Sequence, residues 1–286
     1  MKIDKNIEIL IVSAGGVGTT FLMNFIMEFK SINHRYDYDD LKHNSLPPIS
    51  KNKNLKIIYV FGNPIDATIS LFRRNFQSTQ SIKLNKNYIF KNHIKAETKL
   101  SDYSKSQIDC FHFENHFNNY YEKFLVYDTL FLKYEKIHEN IEEILDFCEI
   151  ERKSIKKFPK RKKRFSDSTK IDITVLENLK KLYGKIENDF ENMPDTRIKK
   201  AKFSRFKLFY SFEYIIVYLL NVKRNIFLRH LFKSFSWRII GTLDTVLISW
   251  LISNDLTVSL KIGFFEIFTK IILYVLHEHI WFNYKI

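Results

Sequence analysis

The chain has 286 residues, 45% of them hydrophobic, and a formal net charge of +14. That length suits one domain of about 200 residues plus a smaller unit, and the apolar content excludes global disorder. The charge points to anionic partners: nucleotides, acidic glycans or lipid headgroups. Two isolated cysteines, Cys110 and Cys148, fit a reducing compartment, and no Cys/His spacing calls for a metal. The opening Met-Lys-Ile-Asp-Lys-Asn lacks the pattern of a secretory leader, so the first two-thirds is expected to stay in the cytoplasm.

Residues 7–13 are a continuous apolar run, as in a strand buried on both faces. A turn with Gly15, Gly16 and Gly18 follows, then a helix over 19–29 from the spacing of Phe21, Leu22, Phe25, Ile26 and Phe29. Residues 55–61 form a second buried strand. Pro64 and Asp66 then start a helix that runs to about residue 76. A third strand covers 129–134, with helices over 139–148 and 171–190. Alternating strands and helices predict an α/β fold with a parallel sheet flanked by helices. All five prolines lie at or before Pro194 and all three tryptophans in the last fifty residues, which divides the chain in two. The expected units are 1–200, a basic and aromatic linker or interfacial helix over 201–228, and 229–286.

A strand, then Ser13-Ala14-Gly15-Gly16-Val17-Gly18-Thr19-Thr20, then a helix is an arrangement that binds phosphate. Glycines admit the anion to the backbone, the helix start offers N–H groups, and two hydroxyls add donors. A plain tight turn would need one glycine, or two. Thr19 after Gly18 replaces the Gly-Lys-Ser/Thr ending of a Walker loop, which disfavours an ATPase or GTPase.

These residues resemble the sulfotransferase family. Its Gly-Thr-Thr loop with a following aromatic and leucine corresponds to Gly18-Thr19-Thr20-Phe21-Leu22. Its strand into Arg-x-Pro-x-Asp, with a serine eight residues after the arginine, corresponds to residues 57–66 and Ser70. Its Arg-Tyr-Glu strand and next helix correspond to Lys133-Tyr134-Glu135 and residues 144–147. The likeness spans roughly residues 7–195 and implies a P-loop-like fold and the donor 3′-phosphoadenosine 5′-phosphosulfate. The phosphosulfate would lie on Gly15, Gly16, Val17, Gly18, Thr19 and Thr20, and the 3′-phosphate at Ser70. Two departures stand out: Gly16 occupies the place of a loop lysine, and Gly62 that of the 3′-phosphate arginine. Each lost charge-assisted contact costs on the order of 1.5–3 kcal/mol. Arg73, Arg74 and the basic run 152–164, which includes Arg161, are the substitutes at hand.

The family's acceptor base is often a histidine in a Lys-Thr-His-Leu-Pro-like segment, and Lys42-His43-Asn44-Ser45-Leu46-Pro47 occupies the matching stretch. His43 would take the acceptor proton, and Lys42 would hold positive charge near the leaving oxygen. The alternative for His43 is a solvated loop residue. His34 is a second candidate, while His112 and His116 read as surface or groove residues. The run 152–164 has nine Lys/Arg in thirteen positions and suits a phosphate, an acidic glycan or anionic lipid, or is simply solvated. No motif supports specific nucleic-acid binding.

Residues 239–253 are apolar except Asp244, and 262–276 except Glu266 and Lys270, with a turn at 253–255. These segments predict a two-helix membrane hairpin, with Trp237 and Trp281 at one interface and Trp250 near the other. Arg224, Arg229, Lys233, Arg238 and Lys285 place both ends in the cytoplasm by the positive-inside rule. Asp244, Glu266 and Lys270 are expected to satisfy one another. A buried hairpin of a soluble domain is the alternative. Residues 229–286 also resemble a small predicted bacterial membrane domain of unknown function.

The sequence thus predicts a membrane-held sulfotransferase with no metal. Its expected partners are a hydroxyl acceptor, such as a saccharide or lipid-linked glycan, membrane lipid, and further copies through the membrane helices. The competing reading is a catalytically inactive nucleotide-binding module acting as a membrane adaptor; a nucleotide kinase is third.

Overall fold

The computed structural model describes residues 2–3, 6–85, 93–160, 171–204 and 226–283, with the backbone alone for 2–3, 226–238, 267, 271–272 and 274–283. The chain divides into two compact units, Met1–Tyr218 and Leu219–Ile286. The first unit holds β1 (Lys2–Ile3), β2 (Ile9–Val12), α1 (Thr20–Ile26), β3 (Ile49–Ser50), β4 (Lys56–Phe61), α2 (Pro64–Arg73) and α3 (Gln77–Leu84). It continues with α4 (Leu100–Ser106), α5 (Phe113–Asn118), β5 (Thr129–Lys133), α6 (Ile141–Cys148), α7 (Ile173–Glu191) and β6 (Thr196–Lys199).

The main sheet has the order β2-β4-β5-β6. β2, β4 and β5 are parallel, with Leu10 opposite Ile57 and Ile58 opposite Leu130. Their apolar runs are covered on both faces, so nearly every side chain of β2, β4 and β5 is buried. One correction concerns the expected parallel sheet, which is mixed: β6 runs antiparallel to β5. Thr-Arg-Ile-Lys is a half-exposed edge strand and carries little apolar signal. At the opposite edge Ile32 pairs in parallel with Ile9, and the buried Asn33 side chain continues that pairing. It accepts from the Ile11 N–H at 2.8 Å and donates to the Ile11 carbonyl at 3.0 Å.

α2 begins as its residues dictate. Asn63 caps it by accepting from the N–H groups of Ile65 (2.9 Å) and Asp66 (3.1 Å), and Pro64 takes the first turn, where no donor is needed. A buried polar chain joins the segment after α4 to α7: Tyr183 donates to Asp109 at 2.9 Å and lies 2.6 Å from the Tyr103 hydroxyl. Burial and the neighbouring Asp109 push the Tyr183 hydroxyl well above its ordinary pKa, so it stays a donor.

The second unit is a helical hairpin, α8 (Ile226–Ser253) and α9 (Leu256–Asn283), turning at Asn254 with φ 54°. Asp255 caps α9 by accepting from Thr257 N–H at 2.7 Å. Gly263 lets the helices touch: a Cβ there would overlap Val246. Glu266 pairs with Lys270 and accepts from Thr242 at 3.0 Å. The expected three-charge cluster is corrected in one member. Asp244 is exposed, because two residues along a helix is about 200° from Thr242. Leu243, Leu247, Leu251, Ile252, Phe264 and Phe265 are also exposed. Among the described residues no helix is long and apolar enough to cross a membrane. The side chains of Trp237 and Trp281, and residues 209–220, lie outside those described.

Candidate functional site

The loop after β2 is built on three left-handed glycines: Gly15 (φ 105°), Gly16 (φ 76°) and Gly18 (φ 56°). Each position also lacks room for a side chain. A Cβ on Gly16 would lie 2.5 Å from the Ala67 carbonyl oxygen on α2, and one on Gly18 2.9 Å from the Tyr134 ring. So the loop is pressed against α2 and the end of β5 by packing as well as conformation. The Gln80 side chain of α3 donates to the Ala14 carbonyl at 2.8 Å and holds the loop's start. Gly15, Gly16, Gly18, Thr19 and Thr20 line a cavity of about 300 Å³, whereas Val17 turns into the core.

Lys42 and His43 line the same cavity. Asp37, itself buried and left-handed, accepts from the Lys42 N–H at 2.8 Å and pairs with Lys83 of α3 at 2.5 Å. The Lys42 ammonium donates to Thr20 Oγ1 and to the Arg35 carbonyl, both at 3.0 Å. Burial above all, with Lys83 and Arg74 adding to it and Asp37 opposing, lowers its pKa to about 8. His43 Nδ1 donates to the Ser13 carbonyl at 2.8 Å. That bond fixes the tautomer and leaves Nε2 as the acceptor. Although its surface is only partly covered, the ring is enclosed by protein at longer range, and this burial lowers its pKa to about 4. His43 is therefore neutral near pH 7, with Asp37 and the Ser13 carbonyl opposing the shift and Lys42 reinforcing it.

The segment is braced from behind. Tyr120 donates to the Asn44 carbonyl at 2.7 Å and Asn119 to the Ser45 carbonyl at 2.9 Å, both from a π-helical turn, Asn119–Lys123. His116 is fully buried, 2.7 Å from the Tyr59 hydroxyl, with burial and then the His43 charge lowering its pKa to about 3. The expectation of a surface or groove residue is corrected there: Tyr59 reaches from β4 to pair with it. His34 accepts from the Tyr36 N–H through Nδ1 at 3.2 Å, in the turn beside the cavity.

The residues expected at a 3′-phosphate divide. Arg74 lines the cavity; Ser70 is buried in α2, where its carbonyl accepts from Arg74 Nε at 3.0 Å, and lies outside the cavity lining, as does the exposed Arg73. Arg161 lies outside the described residues. Of the basic run's described part, Arg152 is bound to Asp146 (2.6 Å) and Glu142 (3.0 Å) and Lys157 pairs with Glu28 at 3.8 Å. At Gly62 a Cβ would meet Glu135 Oε1 at 2.9 Å, and the adjoining cavity of about 290 Å³ also carries Asp66, Glu187 and Glu191 beside Lys133 and Lys136. With four carboxylates to two ammonium groups the lining disfavours a phosphate. Sequence reasoning missed Arg35, Lys83, Asp37 and Gln80, which lie in turns and on α3 without a motif.

No group of His, Cys, Asp and Glu suited to a metal occurs among the described residues. A family model described as a sulfotransferase domain matches residues 38–181. Another, described as a predicted membrane protein (DUF2061), matches residues 231–282. The first match begins beyond the glycine loop and includes Lys42, His43 and the stretch through Ser70. No curated protein and no solved structure matches the chain.

Proposed function

We propose, from the premise that this chain belongs to the sulfotransferase family, that it moves a sulfuryl group from 3′-phosphoadenosine 5′-phosphosulfate to a hydroxyl acceptor while held at a membrane by its α8–α9 hairpin. The observation that carries this reading is the convergence of the glycine loop, Lys42 and His43 on one cavity. The loop residues Gly15, Gly16, Gly18, Thr19 and Thr20 receive the phosphosulfate. His43 Nε2, kept free by the Ser13 bond, takes the proton of the acceptor hydroxyl. The acceptor oxygen forms its bond to sulfur as the bond from sulfur to the bridging oxygen breaks. That electron pair stays on the 5′-phosphate of the adenosine bisphosphate product. Lys42, seated 3.0 Å from Thr20 Oγ1, supplies positive charge to the departing oxygen. Arg74 and Lys83 add charge for the donor's remaining phosphate, in place of an arginine at position 62. Both chain ends of the hairpin face the cytoplasm, where the basic flanks hold them.

The test is transfer from a labelled donor to a panel of hydroxyl acceptors, alongside calorimetry with adenosine 3′,5′-bisphosphate. Thr19→Ala weakens bisphosphate binding, and the absence of heat at millimolar ligand refutes the assignment. One observation favours the inactive adaptor instead: the carboxylates gathered around Gly62. Bisphosphate binding without transfer to any acceptor would decide for it.

A further inference from the structure

The turn that leads into Lys42 presents aromatic rings to water. Tyr36 is 56% exposed and Tyr38 is 83% exposed. His34 stacks on Tyr38 with ring centroids 4.6 Å apart, and the Tyr36 ring lies 6.1 Å from that of Tyr38. The turn that carries the rings is held by its own bonds: the His34 N–H donates to Asp39 Oδ2 at 2.6 Å, and the Tyr36 N–H to His34 Nδ1 at 3.2 Å. Exposed rings add little to folding, yet here hydrogen bonds order the turn beneath them in advance of any ligand. The cluster is continuous with the cavity, because Tyr36 lines it together with His43. Arg35 stands 4.7 Å over the Tyr36 ring and donates one N–H to Asn24 Oδ1 at 3.0 Å. A guanidinium has five N–H groups, so donors remain beside the rings.

We propose that this turn is the acceptor subsite and that the acceptor is a saccharide, laid with its pyranose faces on Tyr36 and Tyr38. The proposal rests on reading the cavity as the transfer site. A pyranose has a face of C–H groups, which meets the negative face of an aromatic ring. Its edge carries hydroxyls and, in an acidic sugar, a carboxylate, which the Arg35 fork meets. The surface is open to water and its two tyrosine planes are tilted by 44°, so it suits successive sugar rings of a chain, one on each tyrosine. A phenolic acceptor gains most from an enclosed apolar slot. One hydroxyl of the sugar then projects from Tyr36 towards His43.

Saturation-transfer NMR on the full-length chain in lipid nanodiscs tests this with three probes: chitotetraose, a tetrasaccharide of alternating glucuronate and N-acetylglucosamine, and 4-nitrophenol. At least one saccharide binds, Tyr36→Ala with Tyr38→Ala weakens it at least tenfold, and Tyr36→Phe with Tyr38→Phe holds it within about threefold. Calorimetry with adenosine 3′,5′-bisphosphate on the same alanine variant gives wild-type affinity, which also verifies the fold. The proposal is overturned if neither saccharide binds, if binding survives the double alanine change, or if 4-nitrophenol alone binds. Should the bisphosphate fail to bind while a saccharide binds through the tyrosines, the donor assignment falls and the saccharide subsite stands.

Discussion

The surroundings of His43 keep it in the neutral form that the proposed role as base requires. A buried imidazole with its Nδ1 proton committed to Ser13 cannot hold a second proton until the pH nears 4. Lys42, conversely, keeps its charge only up to about pH 8. The proposed transfer needs a neutral His43 and a charged Lys42, so its rate should be bell-shaped, with an acid limb near pH 4 and an alkaline limb near 8. His43→Ala should cost about 100- to 10,000-fold in turnover with bisphosphate affinity unchanged; an unchanged rate would move the base elsewhere. Gly16 is the other decisive residue. Gly16→Ala forces a left-handed side chain into the Ala67 backbone and should cost on the order of 2 kcal/mol or more. Urea unfolding and bisphosphate titration both read that loss. The same geometry explains why no lysine stands there: position 16 has room for hydrogen alone, and the cavity's buried ammonium comes from Lys42.

Elements, more than single residues, explain what could be read in advance. Ile-Leu-Ile-Val and Ile-Ile-Tyr-Val are legible as strands because burial on both faces leaves no polar position in them. The glycine triplet is legible as a tight strand-to-helix turn, because all three positions are left-handed. Nothing local marks Asp37, Lys83 and Lys42 as neighbours; a turn with left-handed Asp37 and Asp40 brings them together. Nor is the π-helical turn Asn119–Lys123 visible, since its bonds go to Asn44 and Ser45, more than seventy residues earlier. An extra residue in a helical turn often marks a functional place, and here it aims Tyr120 and Asn119 at the segment carrying His43. Tyr120→Phe removes a buried donor to the Asn44 carbonyl and should cost about 1–3 kcal/mol of stability. In the transfer assay it should lower kcat several-fold with the donor KM nearly constant. A change confined to KM would show that the brace serves binding alone.

At the scale of the whole molecule, most of the exposed large apolar side chains among the described residues belong to the second unit. The hairpin exposes Leu243, Leu251, Ile252, Phe264 and Phe265, a surface that water does not favour. Removing residues 226–286 should release the protein from the membrane fraction into the supernatant with bisphosphate affinity retained. If the intact chain is recovered without detergent, the hairpin is no anchor. The first unit has its own exposed boundary to manage. Its sheet ends at β2, where the outward N–H groups of Ile9, Ile11 and Ser13 are taken by the Ser31 carbonyl, the Asn33 amide and the Lys42 carbonyl. Asn33→Leu would leave the buried N–H and carbonyl of Ile11 unpaired and should cost about 1–3 kcal/mol of stability. Urea unfolding reads that loss, and an unchanged midpoint would refute it. Asn33 thus works as a splice: one side chain bridges the gap between two backbone contacts that close this rim.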